Sequence, residues 1–455
     1  MDGENKMEAM RLSEIADVVG GNISIDCEIT EISTDTRKLT KGCLFIALTG
    51  DNFDGNDFAA KAVADGAVAA VTNREIIGVP CIVVKDTNVA LLKIAAYYRK
   101  KFNPILVGVT GSVGKTTTKE MISLVLSSKY KTLKTKGNLN NHIGLPKTLL
   151  NLDSTYEAAV IEMGMSHFGE ISVLSKTASP RIGVITNIGY SHIENLKNQE
   201  GILKAKLEII DGMSADAPLV VNADDPYLRN LPKKLSNRRI VTYGIKNQQA
   251  DIRAEGIIER KGESLFTICT ESGKTEIRLP SPGEHNIMNA LAAFAVGKLA
   301  GVSSTEMADA FCMYKPEAMR QNIIKKGEQT VIMDCYNASP DSMRASLLVL
   351  RGLECSGRKI AVLGDMLELG DMSKQLHTLV GDMAAESGIN KLFCYGKNSV
   401  YIAKRAALLG VDVYHTCDME ELCRMICKYI KSNDAILFKA SRGMHLEKCV
   451  ERIYE

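Results

Sequence analysis

The chain has 455 residues, of which 45% are hydrophobic and 24% charged, which is typical of a folded protein and, by length, of about three domains. Its formal net charge of +2 and its lack of Trp argue against a nucleic-acid-binding surface. No apolar run approaches the ~18 residues of a membrane-spanning helix, and residues 1–6 are too polar for a signal peptide. We therefore expect a cytoplasmic protein without nucleic-acid or membrane partners, whose scattered cysteines are free thiols.

The first section, residues 1–90, is predicted to form a small α/β domain. Short apolar runs bounded by turn residues predict strands, and one run of helical spacing predicts a helix. The strands are expected at 43–48, 67–72 and 81–84, and the helix at 57–65.

The second section, residues 91–315, contains a strand, a glycine-rich loop and the start of a helix. An apolar strand at 105–107 leads into G-V-T-G-S-V-G-K-T-T-T at 108–118, and a helix is predicted over 119–127. Backbone N–H groups at such a helix start, together with the helix dipole, favour a bound phosphate. The segment therefore predicts a phosphate-binding loop.

Two side chains of this loop suit a nucleoside triphosphate. Lys115 supplies a positive charge for the β- and γ-phosphates, and Thr116 supplies a hydroxyl for Mg²⁺. Val109 occupies the position where the strict phosphate-loop pattern has its first glycine. A glycine-rich turn with an exposed lysine therefore stays open as the alternative.

The rest of the chain alternates strands and helices. Predicted strands at 158–162 and 182–187 indicate a mostly parallel sheet, and hairpin signals between 219 and 279 indicate an antiparallel edge. A linker is expected over 301–319. The third section, 316–455, is expected to form a doubly wound, Rossmann-like sheet.

Several polar residues follow strands of the second section, where ligands of open α/β sheets bind. Glu162 ends one predicted strand and suits Mg²⁺, although a solvated glutamate is the alternative. His192 follows the next strand and could be a metal ligand or a hydrogen-bonding loop residue. Lys204 and Lys206 lie two positions apart in a predicted helix, so at most one can point into the site. Residues 138–141 form an Asn-rich turn.

Six motifs occur in a fixed order between residues 110 and 293. They are T-G-x-x-G-K-T-T at 110–117, N-N-x-I-G at 140–144, E-M-G-M-x-H-x-G-E-I at 162–171, S-H at 191–192, A-K-L-E-I at 205–209 and H-N-x-x-N-A-x-A-A at 285–293. Together they resemble the Mur ligases, ATP-dependent enzymes that form amide bonds in peptidoglycan precursors.

Further segments are similar to one branch of that family, which joins D-alanyl-D-alanine to UDP-N-acetylmuramoyl-tripeptide. They are S-T-D-T-R-K-L at 33–39, G-D-N-F-D-G-N-D-F at 50–58, D-C-Y-N-A-S-P-D-S-M-R-A at 334–345, V-L-G-D-M-L-E-L-G at 362–370 and K-A-S-R-G-M at 439–444. The D-N-P-R signature of the branch that adds a diamino acid is absent from the sequence. Ser339 and Ala440 depart from the residues more usual in these segments.

The resemblance implies three α/β domains and an order of events. Residues 1–90 would bind the UDP-sugar, 91–315 would form a central P-loop-type ATPase domain, and 316–455 would form the Rossmann-like domain. ATP would phosphorylate the peptide carboxylate to an acyl phosphate, and the dipeptide amine would then attack it. Because phosphate ligands lie in the second section and further ligands in the third, domain closure is expected.

The resemblance also implies site residues in a monomeric enzyme. Thr116 and Glu162 would hold one Mg²⁺, and His192 would hold a second together with a carbamate formed from CO₂ on Lys206. Residues expected to bind ATP are Gly111, Ser112, Val113, Gly114, Lys115, Thr116, Thr117, Asn141, Asn286, Asn289, Arg320, Asp334, Tyr336 and Asn337. Residues expected to bind the nucleotide sugar are Ser33, Thr34, Asp35, Thr36, Arg37 and Asp54. Residues expected to act in catalysis are Lys115, Lys206, His192 and Arg320.

Three other functions fit the sequence less well. Another Mur-type ligase or a folylpolyglutamate synthase is disfavoured by residues 33–37 and 334–344. A nucleotide-binding regulatory or scaffold protein need not keep Lys115, Glu162 and Lys206 together. A nucleic-acid-dependent ATPase fits poorly with the near-neutral charge.

Overall fold

Three α/β domains follow one another in the computed structural model, which describes residues 7–50, 52–260, 262–316 and 322–454. The parallel sheets confirm the predicted fold class. Among the described residues, no helix is both long and apolar enough to cross a bilayer.

The N-terminal domain is built on a four-stranded parallel sheet with the order β3-β4-β7-β8. The predicted helix at 57–65 is a 3₁₀ turn, Gly55–Phe58, followed by a shorter α-helix. The last helix begins after Asp86, whose carboxylate accepts hydrogen bonds from two backbone N–H groups, so the expected division after residue 90 falls near the start of that helix. The elements are β1 (Met10–Arg11), α1 (Leu12–Val19), β2 (Glu28–Ile29), β3 (Ile32–Ser33), β4 (Leu44–Ile46), β5 (Thr49–Gly50), β6 (Phe53–Asp54), α2 (Ala59–Ala64), β7 (Ala69–Thr72), β8 (Cys81–Val83) and α3 (Thr87–Lys100).

The central domain contains a nine-stranded sheet with the order β10-β11-β9-β12-β13-β14-β15-β16-β17. Its strands are parallel as far as β15, and β15, β16 and β17 form the antiparallel edge. The elements are β9 (Ile105–Thr110), α4 (Lys115–Ser127), β10 (Thr132–Lys134), α5 (Gly144–Leu149), β11 (Ala158–Glu162), α6 (Glu170–Ala178), β12 (Ile182–Ile185), α7 (Ile193–Leu196), α8 (Gln199–Leu207), β13 (Leu219–Asn222), α9 (Leu231–Lys234), β14 (Ile240–Gly244), β15 (Ile252–Arg260), β16 (Glu263–Thr270), β17 (Gly273–Leu279), α10 (Glu284–Leu299) and α11 (Ser304–Cys312). Because β9 lies between β11 and β12, the loops after these three strands meet at one edge of the sheet.

The predicted linker over 301–319 was wrong for its middle part, because α11 lies there. Ser303 and Glu306 form a reciprocal capping box at the start of this helix. Met307 and Phe311 are buried on its inner face. The capping pair is visible in the sequence and predicts a helix start. The flanking Gly and Pro residues instead favour the prediction of a linker.

The C-terminal domain contains a six-stranded sheet with the order β18-β19-β23-β20-β21-β22, parallel except for β18. The elements are β18 (Asn322–Lys326), β19 (Gln329–Asp334), α12 (Pro340–Gly352), β20 (Lys359–Gly364), α13 (Ser373–Glu386), β21 (Lys391–Tyr395), α14 (Ser399–Leu408), β22 (Val413–Thr416), α15 (Met419–Tyr429), β23 (Ala435–Lys439) and α16 (Glu447–Tyr454). The alternation of parallel strands and helices agrees with the expected Rossmann-like sheet.

Candidate functional site

The phosphate loop joins β9 to α4, and its geometry requires two glycines. Gly111 has φ +151° and Gly114 has φ +83°, conformations that side chains rarely adopt. A Cβ on Gly111 would lie 1.8 Å from Thr186 Oγ1, and one on Gly114 would lie 2.7 Å from Asn289 Oδ1. Both positions therefore require glycine, because of their backbone conformation and because neighbouring side chains leave no room for a Cβ.

The Lys115 ammonium lies over this loop. Its Nζ donates a hydrogen bond to the Gly111 carbonyl at 2.8 Å. Lys115 is also the first residue of α4, where unpaired N–H groups and the helix dipole attract anions. Both features suit a triphosphate.

Glu162 ends β11 and makes three hydrogen bonds with neighbouring side chains. Its Oε2 accepts a hydrogen bond from Thr116 Oγ1 at 2.9 Å, and its Oε1 accepts one from Asn140 Nδ2 at 2.8 Å. Its backbone N–H donates to Thr135 Oγ1 at 3.0 Å. The buried carboxylate and hydroxyl offer the hard oxygen ligands that Mg²⁺ prefers.

Asn140 contacts Glu162, although the sequence prediction names its neighbour Asn141 among the ATP-binding residues. Asn141 Oδ1 accepts hydrogen bonds from the backbone N–H groups of Ile143 and Gly144, at 3.1 and 2.8 Å. Its carboxamide oxygen is thus engaged at the start of α5, whereas Asn140 contacts the Glu162 carboxylate. The two adjacent asparagines predict a polar loop, but their spacing does not show which side chain faces Glu162.

The loop of residues 186–192, which follows β12, is bonded to the phosphate loop. Thr186 Oγ1 donates to the Val113 carbonyl at 2.7 Å, and Val113 N–H donates to Asn187 Oδ1 at 2.9 Å. Gly189 N–H donates to Ser112 Oγ at 2.9 Å. We call this segment the 186–192 loop; it ends at His192, which has φ +63°.

Lys206 and Lys204 lie on different faces of α8. Lys206 is only 2% exposed, whereas Lys204 is exposed. Within the described part of the chain, Lys206 has no hydrogen-bond or ion-pair partner. Burial, reinforced by the nearby positive charge of Lys115, holds the pKa of Lys206 well below its usual range. Burial therefore shifts the amine toward its neutral form, which is the form that reacts with CO₂.

The two asparagines expected to contact adenine lie one turn apart on α10 and are buried. Asn289 Oδ1 accepts a hydrogen bond from Thr118 Oγ1 at 3.0 Å. Asn286 Nδ2 donates to Ser281 Oγ at 2.8 Å. Asn289 thus borders the phosphate loop, while Asn286 holds the turn before its own helix.

Asp334 ends β19 and belongs to a buried polar cluster. Its Oδ2 accepts hydrogen bonds from Lys439 Nζ and Ser346 Oγ, both at 2.6 Å. Tyr336 is half-buried and Asn337 is exposed. Arg320, expected in catalysis and ATP binding, lies outside the described residues.

The Lys439–Asp334 pair is expected to stabilise the C-terminal domain. Lys439→Met would leave a buried carboxylate without its cation, which costs about 3–5 kcal/mol. Urea unfolding measured by circular dichroism checks this value. Arg11→Met, which breaks the exposed Arg11–Asp26 pair, is the control and should change stability little; equal effects of the two variants would contradict the expectation.

A buried histidine holds the loop that follows β20. His377 is fully buried, and its Nε2 accepts a hydrogen bond from Met366 N–H at 3.0 Å. Its Nδ1 lies 2.7 Å from the Ser373 carbonyl and therefore carries the proton. This arrangement needs a neutral imidazole, and burial lowers the pKa of His377.

Stability should therefore depend on pH through His377. Because its pKa is lower in the folded chain, the unfolded chain binds more protons as pH falls below about 6.5, and folding weakens by at most about 1.4 kcal/mol per pH unit. Comparing unfolding free energies at pH 7.5 and 5.5 should show a smaller loss for His377→Gln than for the natural chain. The exposed His445→Gln is the control; identical losses in all three proteins would refute the assignment.

The residues expected to bind the nucleotide sugar lie at the ends of β3 and β6 of the N-terminal domain and directly after β3. Asp35 accepts a hydrogen bond from Arg37 N–H at 3.0 Å, and their side chains form an ion pair at 2.8 Å. Ser33 is buried, and Thr34 and Thr36 are half-buried.

Asp54 is fixed by partners that the sequence prediction did not include. It accepts a hydrogen bond from Asn56 N–H at 2.9 Å and pairs with Arg74 Nη1 at 2.7 Å. Hydrogen bonds from Asn56 and Arg74 lower the pKa of Asp54 to about 2. Arg74 follows β7, so only the folded sheet brings it to Asp54.

A phosphate loop with a buried carboxylate beside it, in the middle of three α/β domains, defines a multidomain nucleotide-binding protein. Family profiles match each domain: the Mur ligase family, catalytic domain over residues 28–106, the Mur ligase middle domain over 109–297, and the Mur ligase, glutamate ligase domain over 319–442. The chain belongs to the Mur ligase family.

Individual relatives and solved structures indicate the branch of the family that the chain resembles. The chain is 39% identical to the UDP-N-acetylmuramoyl-tripeptide–D-alanyl-D-alanine ligase of Bacillus subtilis, over 98% of each chain. It resembles a crystal structure of MurF from Acinetobacter baumannii with a TM-score of 0.92, at 32% identity over 99% of each chain. A MurF ligase from Thermotoga maritima in complex with ADP matches with a TM-score of 0.83, at 28% identity, over 93% of this chain and 97% of that one.

Proposed function

We propose that the chain joins D-alanyl-D-alanine to UDP-N-acetylmuramoyl-tripeptide and converts ATP to ADP and phosphate. The observation that carries the proposal is the meeting of the phosphate loop, the Thr116–Glu162 pair and the buried Lys206 at one edge of the central sheet. The name of the Bacillus subtilis relative supports the choice of substrates.

The chemistry has two steps. A carboxylate oxygen of the tripeptide attacks the γ-phosphorus of ATP, the bond to ADP breaks, and an acyl phosphate forms. The dipeptide amine then attacks the acyl carbon, phosphate leaves, and the amine nitrogen loses its proton. Lys115 and the N–H groups at the start of α4 hold the phosphoryl oxygens and stabilise the charge spread over them during transfer.

The buried Thr116 hydroxyl and Glu162 carboxylate fit a magnesium ion, and we propose a second ion. Thr116 and Glu162 would hold the first, and His192 would hold the second with Lys206 after carbamylation. In that modification the neutral amine attacks CO₂ and releases a proton, so that a buried amine becomes an anionic oxygen ligand. When bound, the ions supply positive charge for the attacking and leaving oxygens.

The remaining assignments place each substrate in the fold. Asn286 and Asn289 would contact adenine, and Arg320, Asp334, Tyr336 and Asn337 would reach the ribose and γ-phosphate from the C-terminal domain. Gly111, Ser112, Val113, Gly114, Thr117 and Asn141 would complete the nucleotide site. Ser33, Thr34, Asp35, Thr36, Arg37 and Asp54 would bind the UDP-sugar. Because one chain supplies all of these residues, we propose a monomer, working in the cytoplasm where ATP is available.

An amine-donor assay tests this function. The chain is incubated with ATP, Mg²⁺ and UDP-N-acetylmuramoyl-tripeptide, and with D-alanyl-D-alanine, L-lysine, diaminopimelate or glutamate in separate reactions. Ligation and phosphate release are expected with the dipeptide alone. Ligation of a different amine would contradict the proposal. So would phosphate release in the absence of both co-substrates.

A further inference from the structure

Residues of the C-terminal domain contact the 186–192 loop. Glu368 Oε2 lies 2.6 Å from His192 Nδ1. Asp341, at the start of α12, lies so close to the loop that a Cβ on Gly189 would be 2.2 Å from its Oδ2. One loop thus contacts both the phosphate loop and a second domain.

Glu368 is held in this position by a strained and well-supported backbone. It has φ +61°, which is uncommon for a residue other than glycine. The segment before it is fixed by hydrogen bonds from Met366 N–H to His377 Nε2 and from Leu367 N–H to Ser441 Oγ, both at 3.0 Å. A strained backbone of this kind persists where several surrounding contacts hold it in place, and it is frequent at functional sites.

His192 Nδ1 is buried and makes no aligned hydrogen bond with a described residue. The nearby Glu368 oxygen is within hydrogen-bond distance but out of line with the ring N–H, and a rotation that brings the two into line would complete the bond. A histidine that binds a metal through one ring nitrogen commonly donates the other N–H to a carboxylate, which fixes its tautomer and orientation.

We propose that Glu368 is the positioning residue for His192, accepting its Nδ1–H and leaving Nε2 as the metal-binding nitrogen. The inference rests on the metal site of the proposed function. The carboxylate belongs to the C-terminal domain and the imidazole to the central domain. The metal-binding form of His192 therefore depends on the placement of the C-terminal domain.

The tautomer of His192 tests the proposal without turnover. In the full chain labelled with ¹⁵N-histidine, at pH 8 and without metal, the ring nitrogens should show Nδ1–H for His192, assigned by loss of its signals in His192→Ala. Glu368→Ala should give a mixture of tautomers, and the conservative Glu368→Gln should partly restore Nδ1–H. Glu194→Gln removes a carboxylate that is two residues from His192 and lies beside Gly370, and as the matched control it should leave the tautomer unchanged. An unchanged tautomer in Glu368→Ala would overturn the proposal.

Binding of Mn²⁺ in the presence of ADP, followed by electron paramagnetic resonance, separates the inference from the site it rests on. Glu368→Ala should weaken one Mn²⁺ site by about 10–100-fold, and Glu194→Gln should not. If His192→Ala weakens that site and Glu368→Ala does not, the positioning role fails alone. If His192→Ala has no effect on Mn²⁺, the proposed metal site and the inference both fail.

Discussion

Replacing Lys115 with Ala is expected to lower ligation by about 10²–10³-fold or more, because one preorganised cation facing the transferring phosphoryl group is lost. In the structure, Lys115 Nζ already lies over the loop, 2.8 Å from the Gly111 carbonyl. The effect should fall on kcat and on kcat/KM together, since the interaction strengthens as charge spreads in the transition state. Steady-state phosphate release with all three substrates measures it.

Two controls sharpen this prediction. Lys233→Ala removes an exposed lysine of α9 in the same domain and should leave kcat unchanged. Circular dichroism and the unfolding free energy should show that Lys115→Ala is folded. Native turnover in Lys115→Ala would contradict the assigned role of the phosphate loop.

Replacing Lys206 with Ala is expected to lower ligation by about 10²-fold or more, because an anionic ligand near the phosphoryl group is lost. Addition of a short carboxylic acid such as acetate should restore part of the activity, since it can enter the space left by the side chain and supply the missing oxygens. The measurement is phosphate release as a function of acetate concentration at constant ionic strength.

Lys204→Ala is the matched control, because Lys204 is an exposed lysine two residues away on the same helix. It should keep native activity and show no response to acetate. Full activity of Lys206→Ala without any acid would refute a catalytic role. Loss of activity without rescue would argue that Lys206 acts as an amine rather than as a carbamate.

The main site elements could be predicted because each is local in sequence. The phosphate loop carries its strand, glycines, Lys115 and Thr116 within one short segment. Glu162 was predictable from its place at a strand end, since parallel strands share one functional edge. The choice between Lys206 and Lys204 came from the resemblance, and the structure adds the physical difference, a buried amine against an exposed one.

The missed contacts are those that only the folded chain creates. Asn140 and Asn141 are adjacent, and local spacing cannot decide which of them faces Glu162. Arg74 reaches Asp54 across the N-terminal domain. Glu368, in another domain, lies within hydrogen-bond distance of His192. Neither of the two local sequence motifs indicates this contact.

Ser339 shows that a departure from a motif can preserve its physical role. It stands where the related branch more often has Asn, and both residues are good helix N-caps. In the structure, Ser339 Oγ accepts a hydrogen bond from Ser342 N–H at the start of α12. The exchange therefore keeps the helix start that places Asp341 against the 186–192 loop.

The central claim is that the phosphate loop presents the γ-phosphoryl group of ATP to a peptide carboxylate. The most direct measurement uses tripeptide substrate labelled with ¹⁸O in both oxygens of its terminal carboxylate, with mass analysis of the phosphate released during ligation. One ¹⁸O atom should appear in each phosphate, because a carboxylate oxygen leaves with the phosphoryl group when the amine attacks. Phosphate free of ¹⁸O, in a reaction that still forms the amide, would contradict the account.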